Sequence, residues 1–96
     1  MKIDAIMIKA QDNVANALRD LTSAETVTVG MGDDLKQVNV SENIPFGHKF
    51  AVVDIAQGEH IIKYGEVIGR ATRPIAQGAH AHIQNIESLR GRGDLQ

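Results

Sequence analysis

Ile44-Pro45-Phe46-Gly47, Ile55-Ala56-Gln57-Gly58 and Ile75-Ala76-Gln77-Gly78 repeat one short phrase. One residue after each comes an apolar stretch: Lys49–Val53, His60–Tyr64 and His80–Ile83. Leu21-Thr22-Ser23-Ala24, ahead of Thr26–Val29, reads as a degenerate fourth copy with Ala in the place of Gly. The phrase describes a tight turn from which a strand leaves, because Pro suits its second position and Gly its fourth. The copies start at unequal intervals, which excludes a solenoid. Turns this frequent, separated by short strands, imply a mainly β fold with a compact, irregular body.

Outward from the repeat, Ala5–Lys9 reads as a first strand, with Ile6 and Ile8 on one face and Met7 on the other. Asp12 stands where a helix N-cap would, and Val14, Ala17, Leu18 and Leu21 follow at i, i+3, i+4, i+7. One short helix near the N-terminus is therefore expected. Thr26–Val29 and Lys36–Val40 alternate in period two, with Gly30-Met31-Gly32-Asp33-Asp34 as the hairpin loop between them. Residues 1–96 form a single domain whose polar end, 88–96, reads as a mobile tail.

Composition narrows the function. A chain of 96 residues has a thin core and gains from a partner. Ten Lys and Arg against twelve Asp and Glu lack the basic excess of a nucleic-acid binder. The absence of cysteine excludes disulfides, thiolate metal sites and cysteine nucleophiles. No apolar run reaches the length of a membrane span and no signal-peptide pattern opens the chain, so no membrane partner is expected and a cytoplasmic location is. Exposed strand edges would allow a homo-oligomer.

His80, His82 and Gln84 alternate with Ala81 and Ile83, which on a strand gathers both imidazoles on one face. Two such imidazoles can converge on iron, zinc, copper or nickel. The plain alternative is an exposed strand face that carries histidine without a ligand. A third ligand would have to come from elsewhere in the chain, a partner or the substrate. In Gly47-His48-Lys49, His48 supplies an imidazole and Lys49 can attract a carboxylate. Lys63-Tyr64-Gly65 supplies another cation and a phenol, and Arg90 in the tail could grip an anion. Solvated lysines, a half-buried tyrosine and a solvated tail are the competing readings.

Four runs occur in a telling order: Asp12-Asn13-Val14-Ala15, Ile44 through Ala51, Ile62 through Gly69, and Gly78 through Asn85. Together they resemble the amino-terminal SAF-type domain of the altronate/galactarate dehydratase family over nearly the whole chain. The resemblance implies a β-clip, short strands bent into a compact sheet with a small helix. It implies a carbon–oxygen lyase acting on a sugar acid or related hydroxy acid, with this chain as its small subunit or N-terminal domain, inactive without the large catalytic dehydratase subunit that completes the site. It also implies Fe2+ or Mn2+ in the assembled enzyme, with Zn2+ able to occupy the imidazoles in vitro. Elimination beside a carboxylate needs a base, a group that stabilises the enolate-like carboxylate, and an acid or metal for the leaving group. On this basis His48 and Lys49 are the catalytic candidates, Lys63, Tyr64 and Arg90 contact the substrate, and His80 and His82 ligate metal. The family's third turn often reads Gly-Glu-His-Val-His-x-His-Asn. Here Ala79 and Gln84 replace the Glu and the last His, so that motif does not provide three histidines. A non-catalytic binding or regulatory module, or the small subunit of a sulfolactate sulfo-lyase, are the alternatives.

Overall fold

In the computed structural model, which describes residues 2–89, all four phrases fold as the same turn. The second residue's carbonyl accepts an N–H from the residue after the phrase: Thr22 from Glu25, Pro45 from His48, Ala56 from Glu59 and Ala76 from Ala79, at 3.0–3.1 Å. The fourth residue has positive φ in every copy, from +74° at Ala24 to +88° at Gly58 and Gly78. That is the left-handed conformation a type II turn requires at its third position. The turn therefore starts one residue later than the sequence suggests, and Pro45 opens it rather than taking its second place.

The leading residues are anchors. Leu21, Ile44, Ile55 and Ile75 are all buried, and they pair antiparallel, Leu21 with Ile44 and Ile55 with Ile75. Each pair exchanges both backbone hydrogen bonds at 2.8–2.9 Å. The positive-φ amide of each turn donates to the carbonyl four positions before the partner anchor. Gly47 bonds Ala17 and Ala24 bonds Val40 in the first clip; Gly58 bonds Ala71 and Gly78 bonds Ala51 in the second. The residue before the anchor repeats as well: Asp20, Asn43 and Asp54 accept the amides of Phe46, Ser23 and Gln77. Pro74 holds the fourth such place and has no side-chain acceptor. The chain thus contains two copies of one pseudo-twofold clip, which the uneven spacing of the phrases conceals.

Short strands run between these clips: β1 Ala5–Ile6, β2 Val14–Ala17, β3 Thr26–Met31, β4 Asp34–Asn39, β5 Lys49–Ala51, β6 His60–Lys63, β7 Glu66–Ala71, β8 His80–Ala81 and β9 Ile86–Ser88. One sheet has the order β4-β3-β1-β2-β5-β8 and the other β6-β7-β9. Leu21, Ile44, Phe50 and the valines of β3 and β4 form one core. Ile55, Ile61, Ile75, Val14 and Ala81 form the other. Apolar side chains, aliphatic apart from Phe50, fill both, and removing them from water is the main stabilising term.

Among the described residues there is no helix, and the expected one after Asp12 is replaced by β2. Val14, Ala15 and Ala17 are all buried because β2 lies between β1 and β5 and both its faces are covered. A strand covered on both faces loses its alternation and can imitate helical spacing. Leu18, which the helix would have buried, is 47% exposed. The first strand is also shorter than expected, ending at Ile6. Ser88 and Leu89, placed in the tail from sequence, belong to β9 and its margin, where Ser88 pairs with Gly69 and the Leu89 amide donates to Ile68. The rest of that tail lies outside the described residues.

Candidate functional site

The turns anchored by Ile44 and Ile75 deliver β5 and β8 side by side, with Lys49 opposite Ala81 and Phe50 opposite His80. One step further along this register sets His48 against His82. The three imidazoles form a triangular cluster: ring centroids are 5.1 Å apart for His48–His80, 4.5 Å for His48–His82 and 5.4 Å for His80–His82. His48 Nδ1 and His80 Nε2 lie 2.9 Å apart, a hydrogen bond whose direction depends on the tautomer. One nitrogen of each ring lies within 4.8 Å of the others.

The third imidazole is thus His48, from a turn more than thirty residues away, and not the residue at 84. Strand β8 ends at Ala81 and the chain turns, with the amides of Asn85 and Ile86 both donating to the His82 carbonyl. The expected face of His80, His82 and Gln84 does not form. Gln84 is exposed and its amide reaches back weakly to the His80 carbonyl at 3.4 Å.

Beside the trio lies an open cleft of about 270 Å³ lined by Lys49, Lys63, Ile68, His82, Ile83, Ile86 and Ser88. Lys49 is half-buried, and desolvation followed by repulsion from Lys63 pushes its ammonium pKa down. Burial also lowers the pKa of His80 and His82, reinforced by the charge of His48 and of Lys49. These rings are thereby favoured in the neutral form that a metal needs. Two ammoniums facing one cleft give it a positive potential.

Tyr64 does not line the cleft. It occupies the β6–β7 hairpin turn with φ +55°, followed by Gly65 at +80°, the paired left-handed residues of a type I′ turn. Its ring meets Lys63 Nζ 5.0 Å from the centroid, a cation–π contact. Arg90 lies outside the described residues.

Sequence reasoning missed the residues that hold these parts together. Asp12 is buried, and its carboxylate accepts the amides of Ile8, Lys9 and Gly65 at 2.7–3.1 Å. Burial opposes its charge, yet the backbone donors hold its pKa below the usual carboxylate value. The Asn13 side chain accepts from the Ile62 amide and donates to the His60 carbonyl. Asp12-Asn13 therefore ties the hairpin carrying Lys63 to β2, which pairs with the strand carrying Lys49. The Asp-Asn pair was visible in the sequence, but a helix cap explained it too readily.

Residues 3–89 match the altronate/galactarate dehydratase SAF domain. The chain belongs to this family. It is 46% identical over 83 residues to altronate dehydratase of Escherichia coli (strain K12), covering 86% of this chain and 16% of that protein. It is 36% identical over 93 residues to (2R)-sulfolactate sulfo-lyase subunit alpha of Chromohalobacter salexigens, covering 94% of this chain and 99% of that subunit. A shorter match, 55% identical over 38 residues, links it to galactarate dehydratase (L-threo-forming) of Escherichia coli (strain K12) and covers 40% of this chain and 7% of that protein. The SAF domain thus corresponds to about a sixth of the long altronate dehydratase and to nearly the whole of the small sulfo-lyase subunit. Among the described residues of this SAF domain, no helix is long and apolar enough to cross a membrane.

Proposed function

We propose that this chain serves as the small subunit, or the equivalent domain, of a lyase that acts on a sugar acid or related hydroxy acid, its site completed by a larger dehydratase-family partner. The observation that carries this reading is a cleft lined by both Lys49 and Lys63 together with His82, one member of a three-imidazole cluster. Loss of water from such an acid breaks the C–H bond beside the carboxylate and the adjacent C–O bond. The proton goes to a base, the hydroxyl departs as water after protonation, and the enol becomes a 2-oxo acid. Lys49 and Lys63 hold the carboxylate and offset the charge that builds on it as the proton leaves. Tyr64 acts on Lys63 and not on the substrate. The base is assigned to the partner.

The trio fits a metal ion. Ligand nitrogens about 2.1 Å from a common ion lie at most about 4.2 Å apart, so a spread of up to 4.8 Å closes with small side-chain movements. His48, His80 and His82 would hold the Fe2+ or Mn2+ of the assembled enzyme, or Zn2+ in vitro, and the bound ion would supply Lewis-acid polarisation of a substrate oxygen. His48, a catalytic candidate from the sequence, is assigned to this ligand set because its Nδ1 engages His80. Phe46 and Ile83, 66% and 84% exposed, sit two and one residues from His48 and His82 and give the partner an apolar rim to cover.

A second reading follows from the similarity to a (2R)-sulfolactate sulfo-lyase subunit alpha: the substrate is then a sulfonated hydroxy acid, and sulfite is the leaving group. Purifying the chain with its partner and assaying altronate, galactarate and sulfolactate separates the two. In the active assembly, Lys63→Ala should lower kcat/KM about 10- to 100-fold, mostly through KM, as expected for a lost charge-assisted contact. Full turnover by both Lys49→Ala and Lys63→Ala in intact assemblies would refute the anion role.

A further inference from the structure

We infer that Asn85 is a positioning residue that sets the spacing of His80 and His82 within the imidazole cluster. The inference rests on the trio being the ligand set proposed above. Strand pairing with β5 covers His80 and Ala81 only, so the sheet does not hold His82. The Asn85 carboxamide does: its Oδ1 accepts the His82 N–H at 2.9 Å, and its Nδ2 donates to the His80 carbonyl at 2.8 Å. The side chain thus stands where a neighbouring strand would, bracketing two backbone groups at i and i+2. It is held there itself, because Asn85 is only 8% exposed and its carbonyl accepts the Thr72 amide at 2.9 Å.

Only a carboxamide of this length offers a donor and an acceptor in one planar fork. A carboxylate keeps the acceptor and loses the donor. Gln84 cannot take over, since its amide points only to the His80 carbonyl at 3.4 Å. The molecule contains the same device a second time, far along the chain. Asn13 Oδ1 accepts from the Ile62 amide at 2.8 Å and Nδ2 donates to the His60 carbonyl at 2.9 Å. That bracket holds β6 and bears no histidine of the trio, which makes it a matched control.

The test compares Asn85→Ala, Asn85→Asp and Asn13→Ala in the full chain. Two readouts are taken: Co2+ affinity from visible absorption, and the imidazole 15N signals of the metal-free protein. Asn85→Ala should weaken Co2+ binding about 10- to 100-fold, the usual effect of losing a group that orients metal ligands, and should shift the His80 and His82 nitrogens. Asn85→Asp should fall between it and the unaltered chain. Asn13→Ala should lower thermal stability comparably while leaving Co2+ affinity and the His48, His80 and His82 imidazole signals unchanged. Unchanged signals and affinity in Asn85→Ala would overturn the inference. If the unaltered chain takes up no Co2+, the metal reading fails and the imidazole signals decide: a shift in Asn85→Ala alone sustains the bracket, and no shift overturns it.

Discussion

The four turns share one backbone but differ in the residue that follows the left-handed position. In two of them it is a glutamate whose carboxylate returns to the first amide of its own turn, Glu25 to Thr22 and Glu59 to Ala56. In the other two it is His48 or Ala79. Pro45 has no N–H to satisfy, so the imidazole of His48 is released to meet His80. Ala79 carries no carboxylate, and the chain runs on to His80. Turn geometry is set by the left-handed residue and the buried anchor, which leaves the next position free either to close the turn or to serve the site. The difference also explains the departure at 79: a glutamate there would close a turn, as at 25 and 59, so its replacement by Ala79 leaves the imidazole cluster untouched.

Substitutions can break or sharpen this contrast. The largest effect is expected at Gly78, where φ is +88° and an added Cβ would run into the Asn39 carbonyl oxygen. Gly78→Ala should cost about 3 kcal/mol or more in urea unfolding, from left-handed strain and the backbone collision together. Gly58 has the same φ but open space around it, so Gly58→Ala should cost only about 1 kcal/mol. Equal losses would mean that the site-bearing turn is no more tightly enclosed than the glutamate-closed one.

Smaller changes probe the first clip. Ala24 is held at φ +74°. Relief of about 1–2 kcal/mol of strain, less the extra chain entropy of glycine at about 0.5–1 kcal/mol, predicts that Ala24→Gly stabilises by about 0.5 kcal/mol. A loss of stability instead would show that this turn is not under strain. The smallest effect concerns Glu25, whose pKa is brought down to about 2 from 4.5, first by its hydrogen bond to Arg19 and then by the Thr22 amide. A lowered carboxylate pKa contributes stability that is present above about pH 4.5 and lost as pH falls towards 2. Arg19→Ala should therefore flatten the acid limb of the stability curve between those values, read as a change in slope of the urea midpoint against pH.

Much of this was legible from individual residues. The positive-φ turns at Gly47, Gly58 and Gly78 announce themselves, since glycine ahead of a strand has few other uses. Ala24 was harder, because only the surrounding phrase marks it. The stretch from Asp12 to Leu21 misled, because β2 is buried on both faces and its apolar residues lose the alternation that identifies a strand. Gln84 misled in the same way: alternation continues in the sequence after the strand has ended at Ala81. The polar brackets made by Asp12, Asn13 and Asn85 were unreadable, since their partners are backbone amides and carbonyls, which every sequence contains.

By itself, then, the sequence determined where the chain reverses and which side chains carry chemistry, because φ preference, hydrophobicity and ionisation are properties of single residues. Only the tertiary structure decided that His48 joins His80 and His82 and that Lys49 and Lys63 face one cleft. That outcome depends on the register between β5 and β8 and on the Asp12-Asn13 tether to the β6–β7 hairpin, both of which are contacts between segments distant along the chain.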